Sequence, residues 1–294
     1  MDFHSPTLAD SEWVRKAFND EPTDCCEYCF GNIYMWSEIY DNKIFNDTGI
    51  FVSADFTDQP IFCYPIGKGD KKSTISKLIE YSKKLGFTLE FFGLTEKDKD
   101  ELNCLFPNQF EIQETRDFFD YLYKSEDLAN LVGRKYHSKK NHISYFEKNF
   151  DWKYEPINHD NIEQCMLLNE HWEGLNKQKN PDEISDESEA IKKALKDYFS
   201  LGFEGGVLTI EGEIVAFTFG ERLNDNTFCT HVEKAYGNIR GAYQMINREF
   251  ARQLQDRYEF INREEDTGSE GLRRAKLSYH PHRLVIKYSA IYKG

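Results

Sequence analysis

Residues 205–236 constrain this chain most. GGVLTIEGEIVAFTFGERL (205–223) reads as a strand, a tight Glu211–Gly212 turn and a second strand. NTFCTHVEKAY (226–236) reads as a third strand. GAYQMINREFARQLQDRY (241–258) then places Ala242, Met245, Ile246, Phe250, Leu254 and Tyr258 at helical spacing. Strands paired by short turns, followed by an amphipathic helix, point to an α+β fold with mixed, mainly antiparallel sheets.

The flanking segments extend the pattern. Helices are expected over 159–175 and 188–202, with a polar loop or helix entry from Asn180 to Glu189. A strand over 259–266, a short helix over 268–279 and a closing strand over 283–293 complete the second half. The first half opens with a helix from Thr7 to Asn19, capped by Thr7 or Asp10, and an aromatic, helical or mixed segment over 29–40. Strands follow over 49–56 and 60–67, then a helix over 71–86 closed by Gly86 and a strand over 87–94. A helix over 96–107 and paired strands over 110–125 end it. Two helices, three antiparallel strands, a helix, a strand, a helix and a strand is the order of an N-acetyltransferase-type acyltransferase fold. The chain's 294 residues suit two domains at roughly 150 residues each. The expected architecture is a tandem pair of such domains, 1–129 and 130–294.

Composition excludes other classes. Hydrophobic residues at 39% and aromatics at 15% can build cores, so a disordered or fibrous chain is ruled out. No apolar run reaches the roughly 18 residues of a membrane span, and the N-terminus lacks a basic-then-apolar signal. Seven scattered cysteines suit free thiols in a reducing cytoplasm. Cys25-Cys26-x-x-Cys29 has no second pair at zinc spacing, and His280-Pro-His282 reads as a turn, so no metal is expected. Residues 67–73 lack phosphate-loop spacing and read as a turn capping the helix that follows.

Charge is uneven. Residues 1–130 carry 13 basic and 25 acidic side chains; residues 131–294 carry 24 and 26. Within 131–150, Arg134, Lys135, Lys139, Lys140 and Lys148 face only Glu147. If helical, Arg134, His137 and either Lys140 or Asn141 share a face that can grip phosphates, or the segment is a connector paired with the acidic first half. An overall net charge of −14 argues against a DNA partner and leaves room for one anionic ligand or tRNA.

Three segments carry a resemblance: DYLYKSEDLANLVGRKYHSKKNHISYF (120–146), HVEKAYGNIRGAYQMINREFARQL (231–254) and INREEDTGSEGLRRAKLSYHP (261–281). Together they resemble the soluble catalytic domain of phosphatidylglycerol lysyltransferase and its cytosolic relatives. The membrane-spanning region of those lipid synthases has no counterpart here. The resemblance implies a tandem fold and an acyl or aminoacyl transfer site in the second half, at its seam with the first. The first half would be a structural copy on the acceptor side.

Site residues follow. Gly237–Ala242 lies where this fold class offers backbone N–H groups and a helix N-terminus to a phosphate, so Asn238, Arg240 and Gly241 are candidate donor-binding residues with Arg134 and Lys140. Asn238 and Tyr243 depart from the coenzyme A pattern, which favours another donor such as an aminoacyl ester on RNA. His231 and Glu233 are two apart on a strand; Glu233 is the preferred base, or the partner of a substrate α-ammonium. Asn262, Glu264 and Asp266 should alternate onto one strand face and Arg263 and Glu265 onto the other. Asp266 could hold an ammonium or ribose hydroxyl, and Arg263 a carboxylate or phosphate. Arg273 and Lys276 share a helical face, and Tyr279 follows. The resemblance makes Tyr279 the candidate general acid. The expected activity transfers an aminoacyl group from aminoacyl-tRNA, or an acyl group from acyl-coenzyme A, to a small amine or hydroxyl acceptor. No other cofactor is expected. A non-catalytic binder of an anionic metabolite or tRNA is the alternative.

Overall fold

The computed structural model describes residues 1–176 and 181–294, and the chain in it divides into two units. The first is Met1–Asp120 with Glu265–Arg273 and Leu284–Gly294; the second is Tyr121–Glu264 with Arg274–Arg283. A single cut at 129/130 is what the sequence suggests. The chain passes between units four times, because two late segments rejoin the first.

In the first unit, Thr7 and Asp10 form a capping box ahead of helix Ser11–Asp20. The Asp10 carboxylate also accepts from Trp13 Nε1 at 2.9 Å. The sheet runs in the order Lys43–Asp47, Ile50–Asp55, Ile61–Cys63, Glu90–Leu94, Tyr288–Tyr292, Phe110–Glu114. Only Ile61–Cys63 and Glu90–Leu94 pair in parallel. Lys43–Asp47 is a strand the sequence reading lacks. It folds back on Ile50–Asp55 through Thr48 and Gly49, both at positive φ, the geometry of a tight hairpin. Helix Lys71–Leu85 buries Ile75, Leu78 and Ile79 against Phe62, Phe91 and Leu102, and Gly86 closes it at φ 81°.

Two expectations fail here for one reason. Residues 110–125 do not pair with each other. Phe110–Glu114 pairs with Tyr288–Tyr292, and Asp120–Lys124 belongs to the other sheet. Residues 283–293 are likewise two strands, Arg283–Val285 and Tyr288–Tyr292, rather than one. The partner of Phe110–Glu114 is far away in sequence, and local periodicity carries no record of such pairing. Between the two late strands sits Lys287, fully buried in the first unit. Its Nζ lies 2.6 Å from Asp120 Oδ1 and 2.7 Å from Glu27 Oε2. Burial would pull this ammonium's pKa down; Asp120, Cys26 and Glu27 outweigh it and hold it well above the usual range.

The second unit holds the sheet Arg283–Val285, Asp120–Lys124, Phe260–Asn262, Thr227–Ala235, Glu213–Arg222, Glu204–Ile210, Trp152–Pro156. The hairpin turn is Glu211–Gly212, with φ 51° and 90°. Helix Ala242–Leu254 buries Met245, Ile246, Phe250 and Leu254, as its spacing requires. Helix Ile162–Asn176 follows the sequence reading. The next helix starts earlier than expected, at Pro181, a residue suited to a first helical turn, and ends at Lys196; a short turn, Tyr198–Leu201, follows. Asn180 lies outside the described residues. Phe260–Asn262 is shorter than the expected 259–266 strand, because Glu264 adopts φ 56° and breaks the alternation. Among the described residues no helix is long and apolar enough to cross a membrane.

Lys287→Met should strand Asp120 and Glu27 without their shared cation. A loss of about 3–5 kcal/mol is expected, read as a lower urea midpoint. An unchanged midpoint would show that the buried lysine carries no net load.

Candidate functional site

In the second unit two central strands part. Thr227–Ala235 and Phe260–Asn262 run in parallel and pair only from Thr227 opposite Phe260 to Cys229 opposite Asn262. Past that point Arg263 N donates instead to Tyr121 O at 3.0 Å. Thr227–Ala235 continues beside Glu213–Arg222 alone. Side chains, not ladder hydrogen bonds, link the parted strands.

Arg263 is the main link. Its Nη2 lies 3.1 Å from both Oε1 and Oε2 of Glu233. Asn247 Nδ2 donates to Glu233 Oε2 at 3.1 Å. The Arg263 guanidinium lies 5.1 Å from the Tyr279 ring centre and 5.7 Å from that of Tyr123. Lys139 Nζ lies 4.1 Å from the Tyr279 ring centre. Tyr279 is buried, and its hydroxyl makes no hydrogen bond to a described residue. Burial pushes that phenol's pKa up, Arg263 opposes and Glu233 adds to the rise, so the hydroxyl stays protonated. Lys276 Nζ donates to Arg263 O at 2.6 Å, Tyr123 OH to Lys276 O at 2.8 Å and Tyr136 OH to Tyr279 O at 3.2 Å. These three bonds fix the backbone on either side of the cluster.

His231 makes a second cluster. The strand ladder pairs Phe219 with Val232 but Gly220 with Thr230, so His231 is the extra residue of a bulge. Its Nδ1 lies 2.7 Å from Glu264 Oε1 and its Nε2 3.3 Å from Glu221 Oε1. Burial pulls this imidazolium's pKa down, yet Cys229 and the two glutamates hold it well above its usual range. Asn262 Oδ1 accepts from Glu264 N at 2.7 Å and fixes the left-handed turn. The expected alternation from Asn262 to Asp266 is therefore replaced by a turn that sends Arg263 to Glu233 and Glu264 to His231.

Asp266 and Arg273 belong to the first unit. Arg273 Nη2 lies 2.7 Å from Asp266 Oδ1, Arg273 Nε 2.9 Å and Arg116 Nη1 3.3 Å from Oδ2, and Gly268 N donates to Oδ1 at 3.0 Å. Two guanidiniums and an amide already occupy this fully buried carboxylate. The donor-side candidates are spread differently. Arg134, Lys140 and Asn238 are exposed, and Arg240 lies over the Tyr145 ring at 4.3 Å. Gly241 has φ 95°, and a Cβ there would sit 2.5 Å from His142 O. Helix packing alone accounts for that glycine.

Structure thus brings together Glu233, Arg263, Lys276 and Tyr279, with His231 and Asn262 in an adjoining network. It adds Lys139 and Asn247, which sequence reasoning missed. A signal existed for both. Lys139 stands four before Ile143 and seven before Phe146, on the buried stripe of helix His137–Asn149. Asn247 is a polar residue on the apolar stripe of helix Ala242–Leu254.

A family model described as phosphatidylglycerol lysyltransferase, C-terminal, matches residues 21–291. A crystal structure of a conserved protein of unknown function from Bacteroides thetaiotaomicron is 37% identical, covers 100% of both chains and superposes with a TM-score of 0.94. The C-terminal domain of a putative lysylphosphatidylglycerol synthetase from Agrobacterium fabrum is 14% identical. It covers 98% of this chain and 93% of its own, with a TM-score of 0.71, a likeness of fold. A tandem N-acetyltransferase-type structure at 8% identity shares the fold as well. An uncharacterised protein of Mycoplasmoides gallisepticum is 23% identical over 172 residues, which span 58% of this chain and 54% of that relative. The architecture is thus a tandem pair of N-acetyltransferase-like domains.

The raised His231 value fixes a sign. Its stabilisation is complete below about pH 6.5, the unfolded imidazole's value, and is lost as pH rises through the native value. His231→Gln should cost about 2 kcal/mol at pH 6 and flatten that decline. Urea midpoints across the pH range check it, and parallel curves for both proteins would refute it.

Proposed function

The chain belongs to the phosphatidylglycerol lysyltransferase C-terminal family, and from that premise we propose that its second unit transfers an aminoacyl group from an activated ester to a small amine or hydroxyl acceptor. Family and fold support acyl or aminoacyl transfer. The observation that carries the finer reading is the Glu233–Arg263–Tyr279 cluster where the strands part.

Each residue has a role in this reading. Glu233 accepts the proton that the attacking amine or hydroxyl must lose, or holds the donor's α-ammonium. Asn247 Oδ1, buried with no hydrogen-bond donor among the described residues, offers a second acceptor on the same amide that binds Glu233. Tyr279, a protonated phenol with an uncommitted hydroxyl, gives its proton to the leaving oxygen. Strand backbone N–H groups hold the oxyanion, each worth about 2.7–4 kcal/mol where such donors have been removed. Arg134, Lys140 and Arg240 grip donor phosphates from the surface. Aminoacyl-tRNA is the proposed donor, and the proposed setting is the cytoplasm.

One observation favours a second reading. Both Glu233 oxygens already face Arg263, so a base here must first be released. A protein that binds its donor and never turns over would fit that arrangement.

The test follows loss of the aminoacyl group from charged tRNA against a panel of amines and alcohols. Tyr279→Phe and Glu233→Gln should each lower turnover about 100-fold, with Tyr279→Phe keeping its Tm within about 2 °C. Undiminished rates in both variants would remove the pair from the mechanism. Donor binding without turnover in the unaltered protein would favour the second reading.

A further inference from the structure

Charges in the Tyr279 cluster do not balance. Arg263 spends Nη2 on Glu233, while its Nη1 is buried and donates to no described residue. The Lys139 ammonium is half-buried over the Tyr279 ring and has no hydrogen bond or ion pair with a described residue. Glu233 answers Arg263, Lys276 is held on the Arg263 carbonyl, no described carboxylate pairs with Lys139, and Tyr279 is neutral. A buried donor left without an acceptor costs about 1–3 kcal/mol, more when it is charged. Two other buried charged groups avoid that cost. Asp266 is saturated, and Lys287 sits on two carboxylates.

We propose that Lys139 Nζ and Arg263 Nη1 together form a binding site for one singly charged oxyanion, a carboxylate or a phosphodiester, carried by a ligand of the second unit. A single negative charge answers the lone Lys139 ammonium. Because Nη2 is committed to Glu233, Arg263 cannot offer its terminal nitrogens as a bidentate fork. It gives one nitrogen, and Lys139 gives the other contact. Two donors from different elements suit two oxygens on one central atom, which both oxyanions have. A dianion such as a phosphate monoester would overshoot the charge. Lys139 also stands in a setting that disfavours its charge. Burial pulls its pKa below the usual lysine range, Arg263 adds to the fall and Glu233 opposes it. An anion bound there should reverse that shift. The site's place in a reaction rests on the transfer reading; its existence is tested by binding alone.

The experiment is trace labelling of the intact protein with an acylating reagent. Labelling of each lysine is read by mass spectrometry against pH, with the exposed neighbour Lys140 as reference. Acetate and dimethyl phosphate are the two probes, balanced by chloride to constant ionic strength. Without a probe, Lys139 should titrate below the usual lysine range. With a bound anion its midpoint should rise by about half a unit, lowering its labelling about threefold at a pH below the midpoint, while Lys140 stays unchanged. Protection by acetate alone assigns a carboxylate, by dimethyl phosphate alone a phosphodiester, and by both the shared chemistry. Arg263→Lys, which keeps the charge but shortens the reach, should weaken the protection. If neither probe protects Lys139 in the unaltered protein, or Lys140 is protected equally, the site does not exist. Protection in a protein that transfers nothing would leave the anion site standing and overturn the transfer reading.

Discussion

The second unit turns on the ion pair between Arg263 and Glu233. Its central strands share only three paired positions before they separate. A parallel pair that stops so early loses the ladder that would hold its ends together. Arg263 replaces that ladder with a side-chain tie, and Lys276, Tyr123 and Tyr136 brace the backbone on both sides. Breaking a buried pair by deleting one partner generally costs about 3–5 kcal/mol. The pair therefore belongs to the fold as well as to any chemistry.

Legibility in the sequence divides along the same line. Periodicity revealed helices such as Ala242–Leu254 and Lys71–Leu85, and turn chemistry revealed the Glu211–Gly212 hairpin. Those features are set by residues a few positions apart. The partner of Phe110–Glu114 is Tyr288–Tyr292, and nothing within either segment specifies the other. The site shows the same split. Glu233 and Arg263 stand out as charged residues on or next to strands, whereas Tyr279 is singled out by the family resemblance. Extending a strand to Asp266 assumed regular alternation, which the left-handed Glu264 abolishes. Lys139 was hidden among five basic residues, since composition cannot say which lysine of a basic helix faces inward. Its spacing to Ile143 and Phe146 does say so.

Two buried lysine environments separate structure from ligand-directed chemistry. Lys287 has Asp120 and Glu27 within 2.7 Å and carries more anion than cation around it. Such a group has nothing left to offer a ligand. Lys139 has an aromatic face and a neighbouring guanidinium instead. A ring face compensates a desolvated cation by about 2 kcal/mol, well short of a carboxylate in the same place. Asp266 is the mirror case on the acidic side: attractive in sequence as a ligand group, and fully spent on Arg116 and Arg273.

The same accounting bears on the donor. A coenzyme A loop needs backbone N–H groups open toward a pyrophosphate. Here Ile239 N and Ala242 N already donate to Tyr236 O and Ile239 O, and Asn238 stands where that pattern expects arginine or glutamine. An acetyl group would also make no use of Glu233 and Asn247 Oδ1, two acceptors beside one another in a buried setting. An α-ammonium would use both. Buried polar groups are costly to leave without partners, so under the proposed transfer the open Asn247 Oδ1 would favour a positively charged acyl group over a methyl. The uncommitted donors of Lys139 and Arg263 add the complementary charge. Under the proposed transfer, a ligand with an ammonium beside its carbonyl and an oxyanion elsewhere would meet Asn247 Oδ1, Lys139 and Arg263 Nη1 together, which neither an acetyl thioester's methyl nor an uncharged acyl chain would.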